Sequence, residues 1–156
     1  MKITLLTVGK TGDKTIEQLI GRYLERLTHY VKFEVKVLPD IKGGKNQTTE
    51  RQKAGEGESI LAILRPSDHV VLLDERGKEH TSPGFADMIG EHLNRGTRDI
   101  VFVIGGPFGF SQAVYSRADA MMALSKMTLT HEMVRLFFVE QLYRAFTILK
   151  GESYHH

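Results

Sequence analysis

Two short stretches of this chain carry the residue types from which a ligand site can be built largely out of backbone. The first is an apolar strand running into a glycine turn, Val101-Phe102-Val103-Ile104-Gly105-Gly106-Pro107-Phe108-Gly109. The second follows the apolar run Ala120-Met121-Met122-Ala123-Leu124 and passes through Ser125-Lys126-Met127-Thr128-Leu129-Thr130 into a helix that begins near His131. Glycines and short polar residues let main-chain N–H and C=O groups come close to a cofactor. Such a site can recognise an adenosyl group with few distinctive side chains.

Other chemistries are excluded by what is missing. The chain has no cysteine, hence no thiolate nucleophile, no disulfide and no cysteine zinc site, a composition that fits a reducing compartment. Gly9-Lys10-Thr11 resembles the end of a phosphate-binding loop, but the motif's first glycine would fall at Thr4. The glycine turn is not a dinucleotide fingerprint, because its second and third glycines would fall at Pro107 and Phe110. His131-Glu132 lacks a zincin's second histidine, since Arg135 stands at that place, and the seven histidines form no other ligand spacing. No metal is expected. Asn46-Gln47-Thr48 matches a glycosylation acceptor, but no secretory signal accompanies it.

The elements that must hold these stretches alternate along the chain. Strand-like segments at 2–8, 33–38, 69–74, 99–104 and 119–124 are separated by helix-like segments at about 14–29, 49–64, 84–94, 111–117 and 131–149. This order predicts an α/β fold, a mainly parallel sheet flanked by helices. Val70-Val71-Leu72-Leu73 and Ile100-Val101-Phe102-Val103-Ile104 lack period-two alternation and read as central strands covered on both faces. The last helix is apolar around most of its circumference, from Met133, Val134 and Leu136 to Tyr143, Ala145 and Phe146. One apolar stripe would span only about 100°. The excess needs burial on a second side, which a core position or a homodimer interface would supply.

At 156 residues the chain is expected to form a single domain over 1–156. Hydrophobic content of 41% with 26% charged residues is that of a soluble folded protein. No apolar run approaches the ~20 residues of a membrane span. A cytoplasmic location without membrane partners is therefore expected. Net charge is +2, so any RNA site must be local. The best basic cluster is Lys42, Lys45, Arg51 and Lys53, with Arg22 and Arg26 on an earlier helix as further members. It reads either as a solvated face or as an RNA contact.

Several spaced motifs, in order, resemble one known family. They are Ile104-Gly105-Gly106-Pro107-x-Gly109, Leu124-Ser125-x-Met127-Thr128-Leu129-x-His131, Glu140-Gln141-Leu142-Tyr143-Arg144-Ala145-Phe146 and the terminal Tyr154-His155. Met1-Lys2-Ile3, Val8-Gly9 and Glu56-Gly57 extend the similarity over essentially the full length. The family is that of the large-subunit ribosomal RNA pseudouridine N3-methyltransferases, RlmH, of the knotted SPOUT class.

The resemblance implies a C-terminal trefoil knot, a homodimer with its sites near the subunit interface, and S-adenosylmethionine as cofactor. It implies a cofactor-binding set of Leu73, Gly105, Gly106, Lys126, Met127, Thr128, Leu129, Thr130 and His131. The family's usual proline before the histidine is Thr130 here, a residue suited to cap the following helix. The implied reaction methylates N3 of a pseudouridine in 23S ribosomal RNA, and the modest net charge points to the assembled ribosome as substrate.

For that reaction, negative charge developing on the flanking carbonyl oxygens must be stabilised. Arg144 is the leading catalytic candidate, because a guanidinium stays protonated and offers a planar set of donors. A salt bridge to Glu140, four residues earlier, is the competing structural role. No general base is secured. His131 is better placed for positioning the cofactor loop than for proton transfer, and Tyr154 with His155 is the second candidate, reaching a partner subunit's site. A disordered terminus is the alternative for that tail. Two other functions remain open: a methyltransferase for another RNA, and a noncatalytic ribosome-associated or nucleotide-binding dimer.

Overall fold

Ten elements follow one another in strict alternation in the computed structural model, which describes residues 1–41 and 46–156. They are β1 (Lys2–Val8), α1 (Lys14–Leu27), β2 (Lys32–Leu38), α2 (Thr49–Ile63), β3 (His69–Glu79), α3 (Ser82–Asn94), β4 (Asp99–Ile104), α4 (Gln112–Arg117), β5 (Ala120–Ala123) and α5 (His131–Leu149), with a closing 3-10 turn, Ser153–His155. Lys42 and Lys45 of the basic cluster lie outside the described residues.

Short polar residues start the helices by accepting otherwise unpaired first-turn N–H groups. Asp13 accepts from Thr15 and Ile16 at the start of α1. Thr48, Thr81 and Ser111 do the same for α2, α3 and α4. Thr130 accepts from the Met133 N–H at 3.2 Å, so the threonine that replaces a proline in the resemblance is a helix cap.

The strands form one sheet in the order β2-β1-β4-β3-β5, and every pairing is parallel. The α/β class expected from the alternation is therefore what forms. β1, β4 and β3 are interior, and successive residues feed opposite cores. Ile3, Leu5, Val71, Ile100 and Phe102 point to the side of α1, α3 and α5, where they meet Ile20, Leu27, Phe85, Ile89, Phe138 and Leu142. Leu6, Val8, Val70, Leu72, Val101 and Val103 point to the other side, against Ile60 of α2 and Val114 of α4. Each such side chain contributes about 1.5–3 kcal/mol on burial. Two apolar faces explain why β3 and β4 read as unbroken apolar runs.

Helix α5 packs against both α1 and α3, which accounts for much of its broad apolar surface within one chain. Phe138 sits with Phe102 and Phe85, at ring centroid separations of 4.7 and 6.3 Å. Met133 and Leu149 of the same helix stay exposed. None of the described helices is long and apolar enough to cross a membrane.

One element differs from its expected bounds by more than two residues. β3 does not stop at position 74 but continues to Glu79, and the continuation pairs with β5. Leu73 and Lys78 both pair with Met122, so residues 74–77 form a bulge between them. The bulge is possible because Gly77 lies directly on the β5 backbone: a Cβ there would be 2.5 Å from Met122 N and 2.6 Å from its carbonyl carbon.

Candidate functional site

The C-terminal ends of β3, β4 and β5 open into one cleft with a volume of about 1220 Å³. In parallel α/β sheets this is the edge at which ligands bind, because loops leaving adjacent strands can part there. The cleft is walled by three loops: the β3 bulge, the glycine turn after β4, and the segment 124–130 before α5.

The glycine turn is shaped from behind. Glu56, on α2, is 3% exposed, and its carboxylate lies against Gly106 on the side where a side chain would begin. A Cβ on Gly105 would likewise press on the Phe110 ring at 3.0 Å. The close approach that Gly106 permits is thus to Glu56. Gln52 Nε2 donates to Glu56 Oε1 at 3.1 Å, while Oε2 is buried without a hydrogen-bond partner among the described residues. The Gly109 N–H donates to the Gly106 carbonyl at 3.2 Å and closes the turn, with Gly109 at φ +80°.

The third loop is held at both ends. Ser125 Oγ accepts the Met127 N–H at 2.9 Å, and Thr130 caps α5. The first turns of α5 also clasp the loop after β1. The Glu132 carboxylate accepts from the N–H groups of Gly12 and Asp13. The buried Arg135 donates to the Val8 carbonyl at 2.9 Å and to Thr11 Oγ1 at 3.1 Å. Burial pushes the Arg135 guanidinium below its ordinary pKa, which Glu132 and Asp40 partly oppose.

Leu73, Gly105, Gly106, Lys126, Met127, Thr128, Leu129, Thr130 and His131 all line this cleft. The structure therefore brings together, from three loops, the nine positions expected to form the cofactor set. Leu73, Ile104, Phe110, Leu124, Leu129 and Val134 supply apolar wall, the glycine turn and short polar residues such as Ser125, Thr128 and Thr130 supply a second part, and charged side chains including Lys53, Asp74, Arg76 and Lys126 complete the lining. A heterocyclic base with a polar sugar suits that lining.

Sequence reasoning missed the bulge side. Asp74, Arg76 and Tyr115 also line the cleft and bond to one another. The Tyr115 hydroxyl donates to Asp74 Oδ2, and the Arg76 N–H donates to Asp74 Oδ1 at 2.8 Å. Burial raises the Asp74 carboxyl, but these bonds outweigh it and hold the group below the usual range. Burial and the same carboxylate push the Tyr115 phenol up. Gly77 was the available signal, a glycine inside a strand.

Arg144, Tyr154 and His155 form a second cluster, and none of them lines the cleft of its own chain. Glu140 Oε1 accepts from Arg144 Nη2 at 2.6 Å, from Arg144 Nε at 3.1 Å and from the Tyr154 hydroxyl at 3.1 Å. The salt bridge foreseen for Arg144 is formed. Its guanidinium also stacks 4.8 Å from the Tyr154 ring, with Nη1 3.4 Å from His155 Nδ1. Burial, then hydrogen bonds with Tyr23 and Glu140, push the Tyr154 phenol far above its ordinary pKa. The tail is thus folded onto α5 and α1. The Tyr30 hydroxyl, bonded to Glu152 at 2.7 Å, adds a further tie and is pushed up to about 12 mainly by that bond.

A parallel sheet flanked by helices, with a cleft where its strands end, defines an α/β protein whose ligand site would lie at that edge. Residues 1–155 match a family model described as "Predicted SPOUT methyltransferase". The chain is 55% identical to ribosomal RNA large subunit methyltransferase H of Christiangramia forsetii, over all of this chain and 99% of that protein. Proteins of the same name from Porphyromonas gingivalis and Flavobacterium johnsoniae are 54% and 49% identical over the same shares. The chain belongs to the SPOUT methyltransferases, in the family of ribosomal RNA large subunit methyltransferase H.

Proposed function

We propose that this chain is the S-adenosylmethionine-dependent enzyme that methylates N3 of a pseudouridine in 23S ribosomal RNA, acting as a homodimer on the assembled ribosome. The observation that carries the reading is the convergence of all nine expected cofactor positions on one cleft, in a chain alike over its whole length to ribosomal RNA large subunit methyltransferases. One domain spanning the chain, with its C-terminal segment threaded as a trefoil knot, belongs to the same proposal.

The lining suits the cofactor. Leu73, Ile104, Leu124 and Leu129 give the cleft apolar lining that suits a base, and the glycine turn and the segment 124–130 carry main-chain donors and acceptors that suit its polar edges. When bound, S-adenosylmethionine supplies a methyl group on a sulfonium sulfur, open to attack by a nitrogen nucleophile. The chain's own contribution is to orient that nucleophile and to stabilise the charge it develops. His131, as the first residue of α5, helps to fix the cofactor loop.

In the dimer, Arg144, Tyr154 and His155 serve the partner's cleft. Two observations support this: the cluster is ordered by Glu140 yet stands outside its own cleft, and Phe108, Met127 and Met133 leave apolar surface exposed in the chain taken singly. Arg144 then offers donors to uracil carbonyl oxygens, while Glu140 holds its direction.

The test is transfer of labelled methyl from S-adenosylmethionine to ribosomes lacking the modification, read by nucleoside mass spectrometry and compared with free ribosomal RNA. Labelled N3-methylpseudouridine is expected, with ribosomes preferred. Cofactor binding without incorporation, beside an active control enzyme, would return the function to another RNA or to a noncatalytic role.

A further inference from the structure

The β3 bulge carries polar side chains beyond Leu73 that the proposed cofactor set does not include. Between Leu73 and Lys78 the chain leaves the ladder, which turns Asp74, Glu75 and Arg76 into the mouth of the cleft. Bulges re-aim side chains in this way beside functional sites. The Arg76 side chain is 64% exposed, but it is not loose. Its Nε faces Asp74 Oδ1 at 3.4 Å, its guanidinium lies 4.7 Å from the Tyr115 ring centre, and Tyr115 bonds to the same Asp74 carboxylate. Asp74 is itself only 8% exposed and is engaged through both oxygens, so it sits behind the guanidinium as an anchor.

What remains free is the outer edge of the fork. Among the described residues Arg76 makes its hydrogen bonds through its main-chain N–H and Nε alone, while the Tyr115 hydroxyl and Asp74 lie close enough to the guanidinium to raise its pKa. A stacked, tethered guanidinium with that edge exposed matches a phosphate, whose paired oxygens accept two parallel N–H donors. It also has little conformational entropy left to lose on binding.

The size of the cleft gives such a phosphate a reason to be there. At about 1220 Å³ it exceeds the roughly 300–1,000 Å³ typical of a small-ligand site, which leaves room for a target nucleotide beside a cofactor. A base that undergoes chemistry must leave its stack and enter the pocket, which draws its flanking phosphates to the mouth. Charge along the lining is mixed, with Lys53, Arg76 and Lys126 against Glu50, Asp74 and Glu75. Recognition at this rim therefore depends on one oriented group rather than on a diffuse positive field.

We propose that Arg76, positioned by Asp74, Tyr115 and the Gly77 bulge, binds an RNA backbone phosphate adjacent to the target nucleotide. The proposal rests on the methyltransferase reading above.

It is tested with Arg76→Ala, Arg76→Lys and Tyr115→Phe in the full-length protein. Measurements are ribosome KM and kcat across a salt series, cofactor affinity by calorimetry, and binding of a short RNA containing the target nucleotide. Arg76→Ala should raise the ribosome KM and the RNA Kd about tenfold, lower kcat/KM far more than kcat, and make the log–log salt dependence shallower by about 0.7–0.9. Arg76→Lys should recover part of the loss, because a point charge lacks the paired geometry. Tyr115→Phe, which keeps the ring but loses the bond to Asp74, should lie between.

Unchanged KM, RNA affinity and salt slope in Arg76→Ala would overturn the proposal. So would a tenfold loss of cofactor affinity with ribosome KM intact, which would assign Arg76 to the cofactor's carboxylate. If the wild-type protein methylates no ribosomes, the functional reading fails by itself. Arg76 is then judged by the RNA-binding arm, where an effect sustains phosphate binding and its absence ends it.

Discussion

The carboxylate of Glu56 lies against Gly106, so that a Cβ built on the glycine would come within 2.7 Å of the carboxyl carbon. Fifty positions separate the two residues, and no local rule connects them. Gly106→Ala must displace either the turn or a buried carboxylate, and overpacking of this kind costs roughly 1–3 kcal/mol. Thermal unfolding should show that loss, and calorimetry should show cofactor binding weakened at least tenfold. Adding Glu56→Ala should restore part of both, whereas strict additivity of the two changes would refute the contact as the cause.

The Gly77 position is less forgiving, because its neighbours are Met121 and Met122 main chain rather than a movable side chain. Gly77→Ala is expected to cost more stability than Gly106→Ala and to lower soluble yield. Gly21, inside α1 with nothing within 4 Å of a built Cβ, is the control. Gly21→Ala should stabilise by about 0.5–1 kcal/mol. Denaturant midpoints measured side by side decide whether the two glycines differ in sign.

For the terminal cluster, Arg144→Ala and deletion of residues 154–156 should each reduce methyl transfer at least a hundredfold while leaving cofactor affinity within about twofold. A mixed-dimer experiment tests whether the cluster acts across the subunit boundary. Co-expressing Arg144→Ala with Gly106→Ala should return roughly a quarter of wild-type turnover, since mixed dimers carry one intact composite cleft. No recovery over the separate variants would place Arg144 in its own chain's function or in structure alone.

A pH dependence follows from the far end of the sheet. The His92 ring packs tilted against that of His69, 4.4 Å between centroids, and its Nδ1 lies 3.1 Å from Thr97 Oγ1. Burial, then His69 and Arg95, lower its pKa against a smaller opposing effect of Glu91. His69 in turn faces Asp119 at 3.9 Å. A histidine whose folded pKa is depressed binds its proton more readily when unfolded. Its stabilising contribution is therefore complete above about pH 6.5 and declines as pH falls through the folded value. The melting temperature should drop between pH 7 and pH 5, with a smaller drop in His92→Gln. An equal drop in both proteins would exclude His92 as a source.

Much of this protein was legible in its sequence because the relevant forces act locally. Apolar runs such as Ile100-Val101-Phe102-Val103-Ile104 declare burial on both faces through composition alone, and Thr130 declares a helix start through its hydroxyl. Two of the three loops proposed to hold the cofactor stood out because each is a contiguous stretch leaving a strand. The bulge left only Gly77 as a trace in the sequence, because it exists only where β3 meets β5, with Leu73 and Lys78 sharing Met122 as partner. Arg76 likewise reads as one more surface charge until Tyr115 and Asp74 are brought beside it. Contacts between residues some 40 to 50 positions apart depend on how the sheet pairs and which helix covers it. Chain order suggested the elements and much of the cleft, but tertiary packing alone decided what stands behind Gly106 and what Arg76 can reach.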